Sequence, residues 1–151
     1  MKITKTQSLA NRAHIVETAS QLFRERGYDG VGVAELMATA GFTQGGFYKH
    51  FGSKADLMAE AAALSLERSA AGACTIGLEE FVNRYVSRAH RDGRDTGCTV
   101  AALGGDAARH SDEVKATFAS GIEKTLAALE EKYRAGTGAT PEQARAKVVS
   151  L

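Results

Sequence analysis

Residues 41–54, GFTQGGFYKHFGSK, decide how this chain is read. Adjacent glycines, Gly45 and Gly46, cost about 1 kcal/mol each against alanine in a helix interior, so a core helix would not use them. Yet Phe47, Tyr48 and Phe51 stand at helical spacing, which a loop does not require. The pattern describes a short helix that is bare at one end, aromatic in its middle and followed by a cation, Lys54.

The flanks supply a frame for that helix. Upstream, Ile15, Ala19, Leu22 and Phe23 recur at i, i+4, i+7 and i+8, which predicts a helix from about Leu9 to Arg26. Gly27 closes it after the basic turn Arg24–Arg26. Val33, Leu36, Met37 and Ala40 predict a short second helix, with Gly32 as N-cap and Gly41 as terminator. Thr43 is placed to cap the third, which runs to about Phe51. Ser53 to Asp56 reads as a capping box opening a fourth helix, whose Leu57, Met58, Ala61 and Leu64 face inward.

Beyond it, SAAGACTIG (residues 69–77) is small and flexible, the expected joint of the chain. Leu78 to His90 reads as one helix with Phe81, Tyr85 and Val86 apolar. RDGRDTG (residues 91–97) is a loop, and residues 98–110 form a small-residue helix broken or kinked near Gly104-Gly105. A long helix over residues 111–134 carries Val114, Phe118, Ile122, Leu126 and Leu129. Thr140-Pro141-Glu142-Gln143 is a second capping box with proline at the first helical position. Its helix sets Ala144, Val148 and Leu151 on one face.

The totals agree with an all-α chain. One proline in 151 residues, and an abundance of Ala, Leu, Glu, Lys and Arg, favour helices, with enough length for a single core. No apolar run approaches membrane-spanning length, and the N-terminus lacks the hydrophobic block of a signal peptide, so the expected location is cytoplasmic and no membrane partner is implied. Cys74 and Cys98 form no metal-type pair, and neither a metal nor a cofactor is expected. The net charge of +1 conceals an asymmetry. Residues 1–54 hold seven Lys/Arg against four acids, a balance of +3, while the remainder holds twelve against fourteen. A basic head on a mildly acidic body is compatible with nucleic-acid binding.

Two short helices joined by Ala40-Gly41-Phe42 make a helix-turn-helix, in which the second helix enters the major groove with its N-terminal residues at the base edges. Gly45 and Gly46 lie in that first turn, where missing Cβ atoms let backbone N–H groups approach bases or phosphate. Gln44 can pair with a base edge, and Thr43 can reach phosphate or a thymine methyl. Phe47 and Phe51 hold the helix to the core and leave Tyr48, Lys49 and His50 outside. Lys54, in the first turn of the next helix, opposes the helix dipole unless a phosphate sits there.

RAHIVETASQLFRERGYDGVGVAELMATA followed by GFTQGGFYKHFGSKADL resembles the DNA-binding domain of the tetracycline-repressor (TetR) family of bacterial transcriptional regulators, from about Arg12 to Leu64 without a gap. The body from Leu78 resembles the family's ligand-binding and dimerisation half in its helical layout and in GCTVAALGGDAAR (residues 97–109). The resemblance implies a DNA-binding domain over 1–53 and a helical regulatory domain over 54–151. It implies a repressor that binds double-stranded DNA, at a pseudo-palindromic operator, as a homodimer, and that a small-molecule effector releases. Thr43, Gln44, Gly45, Gly46 and Lys49 match its base-proximal positions, and Tyr48, His50 and Lys54 its phosphate-contacting ones. Gly32-Val33-Ala34 departs from the capping residues usual at the second helix, and the double glycine leaves fewer side chains for direct readout, which shifts specificity toward DNA shape.

In the body, Phe81, Tyr85, Cys98, Ala101, Phe118 and Ile122 are the candidate ligand-binding residues, and each also reads as core. Cys98 opens a helix whose N-terminal amides can lower a thiol pKa, although a small buried residue serves equally well there. His90 and His110 lack metal-ligand spacing with either cysteine. An enzyme is the competing class, but Tyr48, Lys49 and His50 are consecutive and fan outward, so they cannot converge on one substrate atom. An interaction module with a vestigial helix-turn-helix is the third. Family members usually continue through the helix begun at Thr140 and one more, which pair across the two-fold axis, so the regulatory half is expected to be incomplete at Leu151. The 151-residue polypeptide is accordingly expected to sediment as a monomer or weak dimer at micromolar concentration; a tight dimer would relocate the interface.

Overall fold

The computed structural model describes residues 4–151; Lys2, counted above in the basic head, lies outside that range. Its helices are α1 (Lys5–Arg26), α2 (Val33–Thr39), a 3-10 helix (Gln44–Lys49), α3 (Lys54–Thr75), α4 (Leu78–Tyr85), α5 (Arg88–Asp92), α6 (Thr99–Ala107), α7 (Asp112–Thr137) and α8 (Pro141–Val149). No strand occurs among the described residues, and none of their helices is long and apolar enough to cross a membrane.

Helix α1 starts four residues before the expected Leu9, because the Thr4 hydroxyl accepts the Gln7 N–H and caps a polar first turn. It ends at Gly27, whose φ of +77° suits glycine. A side chain there would also meet Asp106 of α6, since an added Cβ would lie 2.9 Å from its Oδ2. Ile15, Ala19 and Phe23 are fully buried and pack with Leu36 and Met37 of α2, Phe47, and Leu57 and Met58 of α3. The same core takes in Leu103 and Ala107 of α6 and Val114 and Phe118 of α7. Head and body therefore share one apolar interior across the start of α3.

Helix α3 corrects the expected joint. Residues 69–75 continue it without interruption to Thr75. Alanine-rich sequence favours helix, Gly72 lies on the exposed side, and Ala73 is buried in a second cluster with Ala128, Leu129 and Val148. The expected single helix over 78–90 is two. Ser87 breaks it by donating its hydroxyl to the Arg84 carbonyl (2.7 Å) and accepting the His90 N–H (3.1 Å), which caps α5. Val86 falls at the break and is 74% exposed rather than inward. Helix α6, by contrast, runs through Gly104-Gly105 without a break. The second capping box forms in full: Gln143 N–H donates to the Thr140 hydroxyl and Thr140 N–H to the Gln143 amide. Ala144 and Val148 are buried, while Leu151 of the same expected face is exposed.

Helices α3 and α7 pack tightly at Gly121. A Cβ added there would stand 2.7 Å from the Leu66 Cβ and 2.6 Å from its Cδ1, so the helices meet only because the position is glycine. Gly121→Ala should lower stability by about 1–2 kcal/mol, overpacking outweighing the roughly 1 kcal/mol of helix propensity regained. The urea midpoint checks this, and an unchanged or raised midpoint would mean that the helices separate at no cost.

Candidate nucleic-acid interface

The third helix is a 3-10 helix of six residues, two turns, that ends at Lys49, short of the expected Phe51. Thr43 occupies its N-cap position with extended backbone, but its hydroxyl caps nothing; its carbonyl accepts the Gly46 N–H at 3.0 Å instead. So short an element cannot sustain itself by propagation and depends on tertiary contacts. Phe47 supplies the first, with none of its surface exposed, its ring 5.4 Å from that of Phe51.

The second contact was not read from the sequence. Arg12 of α1 pairs with both carboxylate oxygens of Glu60 on α3. Its Nε donates to the His50 carbonyl at 3.2 Å, and its guanidinium lies 4.7 Å over the Phe51 ring. One side chain thus fastens α1 and α3 to the exit of the 3-10 helix, through planar two-pronged pairing and a cation over an aromatic face. Its partners stand 38 and 48 residues away, a separation that carries no local periodicity.

With the apolar side fixed, Thr43, Gln44, Gly45, Tyr48 and Lys49 are exposed, and Gly46 and His50 are half-exposed. Tyr48 is 72% exposed, its ring edge-on to Phe47. A Cβ at Gly45 would meet nothing within 4 Å, and one at Gly46 only ordinary contacts at 3.7 Å and 3.8 Å. Neither glycine is required by packing, which leaves the open surface as its physical consequence. Lys54 is differently placed. Its amine donates to the Tyr28 carbonyl at 2.6 Å and sits 5.9 Å over the Phe23 ring, so it ties the first turn of α3 to the turn after α1. An ammonium has two further protons to offer, but this one already has a partner inside the protein. Ser53 caps α3 by accepting the Asp56 N–H at 3.1 Å, and its hydroxyl also bonds the Asp56 carboxylate. The other half of the expected box does not form.

A second concave site lies in the body, a cavity of about 560 Å³ between α3, α4, α6 and α7. Phe81, Tyr85, Cys98 and Ile122 line it, together with Leu66 and Leu126. Ala101 and Phe118 do not, contrary to the sequence reading. Ala101 instead lines a hollow that adjoins this cavity, and Phe118, one turn before Ile122 on the same face of α7, belongs to the core shared with the head. Tyr85 stacks on Phe81 at 6.1 Å and on His90 at 4.6 Å. Burial first, then the neighbouring Cys98, raises the Tyr85 phenol above its ordinary pKa. His90 Nε2 accepts the Cys98 N–H at 3.1 Å, so the thiol's own backbone donor is spent on the imidazole. No group of described residues has the composition of a metal site.

Against known proteins, residues 15–61 match the profile of bacterial regulatory proteins of the tetR family. The chain is 49% identical over 43 residues to the HTH-type transcriptional repressor DhaR of a Mycobacterium species, a stretch covering 28% of this chain and 22% of that one. It is 26% identical over 135 residues to the repressor NemR of Escherichia coli, covering 83% of this chain and 68% of that one. Among solved structures, reduced E. coli NemR superposes with a TM-score of 0.75 at 20% identity, over 93% of this chain and 82% of that one. A TetR-family regulator from Agrobacterium tumefaciens gives 0.69 at 22% identity, over 93% and 80%. These structural likenesses establish the all-helical fold.

The Arg12 clamp makes a measurable claim. Its side chain and that of Glu60 are each 37% exposed, so solvent discounts the pair, and Arg12→Leu should cost about 1 kcal/mol of global stability. Its larger effect should be local, with faster hydrogen exchange at the amides of His50 and Phe51 than at those of α7. Equal protection in the variant would show that Phe47 alone holds the 3-10 helix.

Proposed function

We propose, from the match of residues 15–61 to the tetR-family profile, that the chain is a TetR-family regulator that represses transcription by binding a palindromic operator as a homodimer. The observation that carries this reading is the exposed edge of the 3-10 helix. Thr43, Gln44, Gly45, Tyr48 and Lys49 all face outward on an element whose one apolar anchor, Phe47, is wholly buried. In this reading Thr43, Gln44, Gly45, Gly46 and Lys49 meet the base edges while Tyr48 and His50 meet phosphates. Lys54 reaches a phosphate with the protons not given to Tyr28. Residues 1–53 form the DNA-binding domain and 54–151 the regulatory one, in a protein that works in the cytoplasm. A small molecule entering the cavity beside Phe81, Tyr85, Cys98 and Ile122 releases the operator, and catalysis plays no part.

Duplex DNA from upstream of the protein's own gene, titrated across salt, tests the reading. Lys49→Ala should weaken binding and leave the slope of log affinity against log salt nearly unchanged, whereas a slope reduced by roughly one unit per half-site would move the lysine from a base edge to a phosphate. No complex with any duplex would remove the proposal.

A further inference from the structure

A second hollow of about 530 Å³ adjoins the apolar cavity, and the two share Tyr85, His90 and Cys98 as a common wall. Their linings differ in kind. The first is walled by Leu66, Phe81, Val100, Ile122 and Leu126, and its one cation, Arg84, is paired with Glu80, while the second carries Arg24, Arg91 and Arg94 with one acid, Glu25. We infer that the effector is an apolar molecule carrying a single anionic group, its body in the first hollow and its anion among the arginines of the second. This rests on reading the body cavity as the effector site.

The polar groups around the wall are donors. Since His90 Nε2 accepts the Cys98 N–H, the ring carries its proton on Nδ1 and has no lone pair left for a ligand. Arg94 has no carboxylate within ion-pair distance among the described residues. Arg91 is answered by Asp92 at 2.7 Å, and Glu25 lies 3.8 Å from Arg26. Arg24 spends its guanidinium on neutral oxygens, the Ser20 hydroxyl at 2.6 Å and the Asp95 carbonyl at 2.7 Å. Burial pulls its pKa down, against the pull of Glu17 and Asp95. A half-buried cation bonded to neutral groups gains from an incoming anion, and a planar guanidinium fork suits a carboxylate or sulfonate. Arg24 also sits three residues before Gly27 in α1, so an anion held there would join the loop over 91–97 to the head rather than to the body alone.

A matched pair of dyes tests this on the full chain: anilinonaphthalene sulfonate, and N-phenylnaphthylamine, the same aromatic body without the anion. The sulfonate should bind about tenfold more tightly, and raising salt should weaken only the sulfonate. The double variant Arg91→Ala/Arg94→Ala should equalise the two, Phe81→Ala should weaken both, and Arg88→Ala, outside both hollows, should alter neither. Equal affinities in the unmodified chain, a sulfonate advantage that survives the double variant, or saturable binding of neither dye would each overturn the inference. Failure to bind DNA would remove the proposed function and leave the dye result intact. Dye binding that obeys every expectation without releasing DNA would uphold the anion site and sever it from regulation.

Discussion

Everything presented by the head depends on one buried ring. The 3-10 helix over 44–49 has too few residues to stabilise itself, and its first turn contains two glycines, the costliest choice short of proline. Burying Phe47 completely, stacked near Phe51 and beneath α2, fixes the helix's orientation by fixing its apolar side. The exposure of Gln44, Tyr48 and Lys49 is the geometric remainder of that burial. Arg12 then locks the exit, so the surface is held at both ends by elements distant in sequence.

Helix α3 transmits this arrangement. Its N-terminal half fills the core under the head with Leu57, Met58, Ala61 and Ala62, and its C-terminal half forms one wall of the body cavity through Leu66 and Ala73. At its centre the Ser65 hydroxyl bonds back to the Ala61 carbonyl and accepts the Thr99 hydroxyl at 2.7 Å, a buried polar link between α3 and the first turn of α6. The other end of α6 holds Asp106 against Gly27 and within 3.4 Å of the Tyr28 N–H, while Lys54 takes the Tyr28 carbonyl. The turn after α1 is thus gripped from both the body and α3. Asp106 thereby links the end of α6 to the turn after α1, at a position where only glycine leaves its carboxylate room.

Tyr28 shows how closely that joint is packed. Its ring is fully buried, edge-on to Phe23 at 5.1 Å and His110 at 5.3 Å, and its hydroxyl has no hydrogen-bond partner among the described residues. Burial, with the Asp106 charge adding to it, pushes the phenol above its usual pKa and keeps it neutral. An unpaired buried hydroxyl costs on the order of 1–3 kcal/mol, a cost borne where head and body meet.

The sequence by itself determined the helical class, the first two helices with their glycine ends, the capping box at Thr140 and the outward set from Thr43 to Lys49. These follow from periodicity, capping chemistry and left-handed glycine geometry, all of which act within a few residues. Tertiary structure alone decided the rest. Residues 69–75 looked like a joint because they are small, yet Ala73 finds a partner in α7 and the helix persists. Leu78 to His90 looked continuous, yet no residue of α4 is buried, so nothing opposes the Ser87 cap that divides it. Ala101 and Phe118 read as cavity lining by composition, whereas the packing of α6 and α7 sets Ala101 in the adjoining hollow and Phe118 in the core shared with the head. Arg12 and Lys54 bond across 38 and 26 residues to backbone carbonyls, and a carbonyl leaves no mark in a sequence.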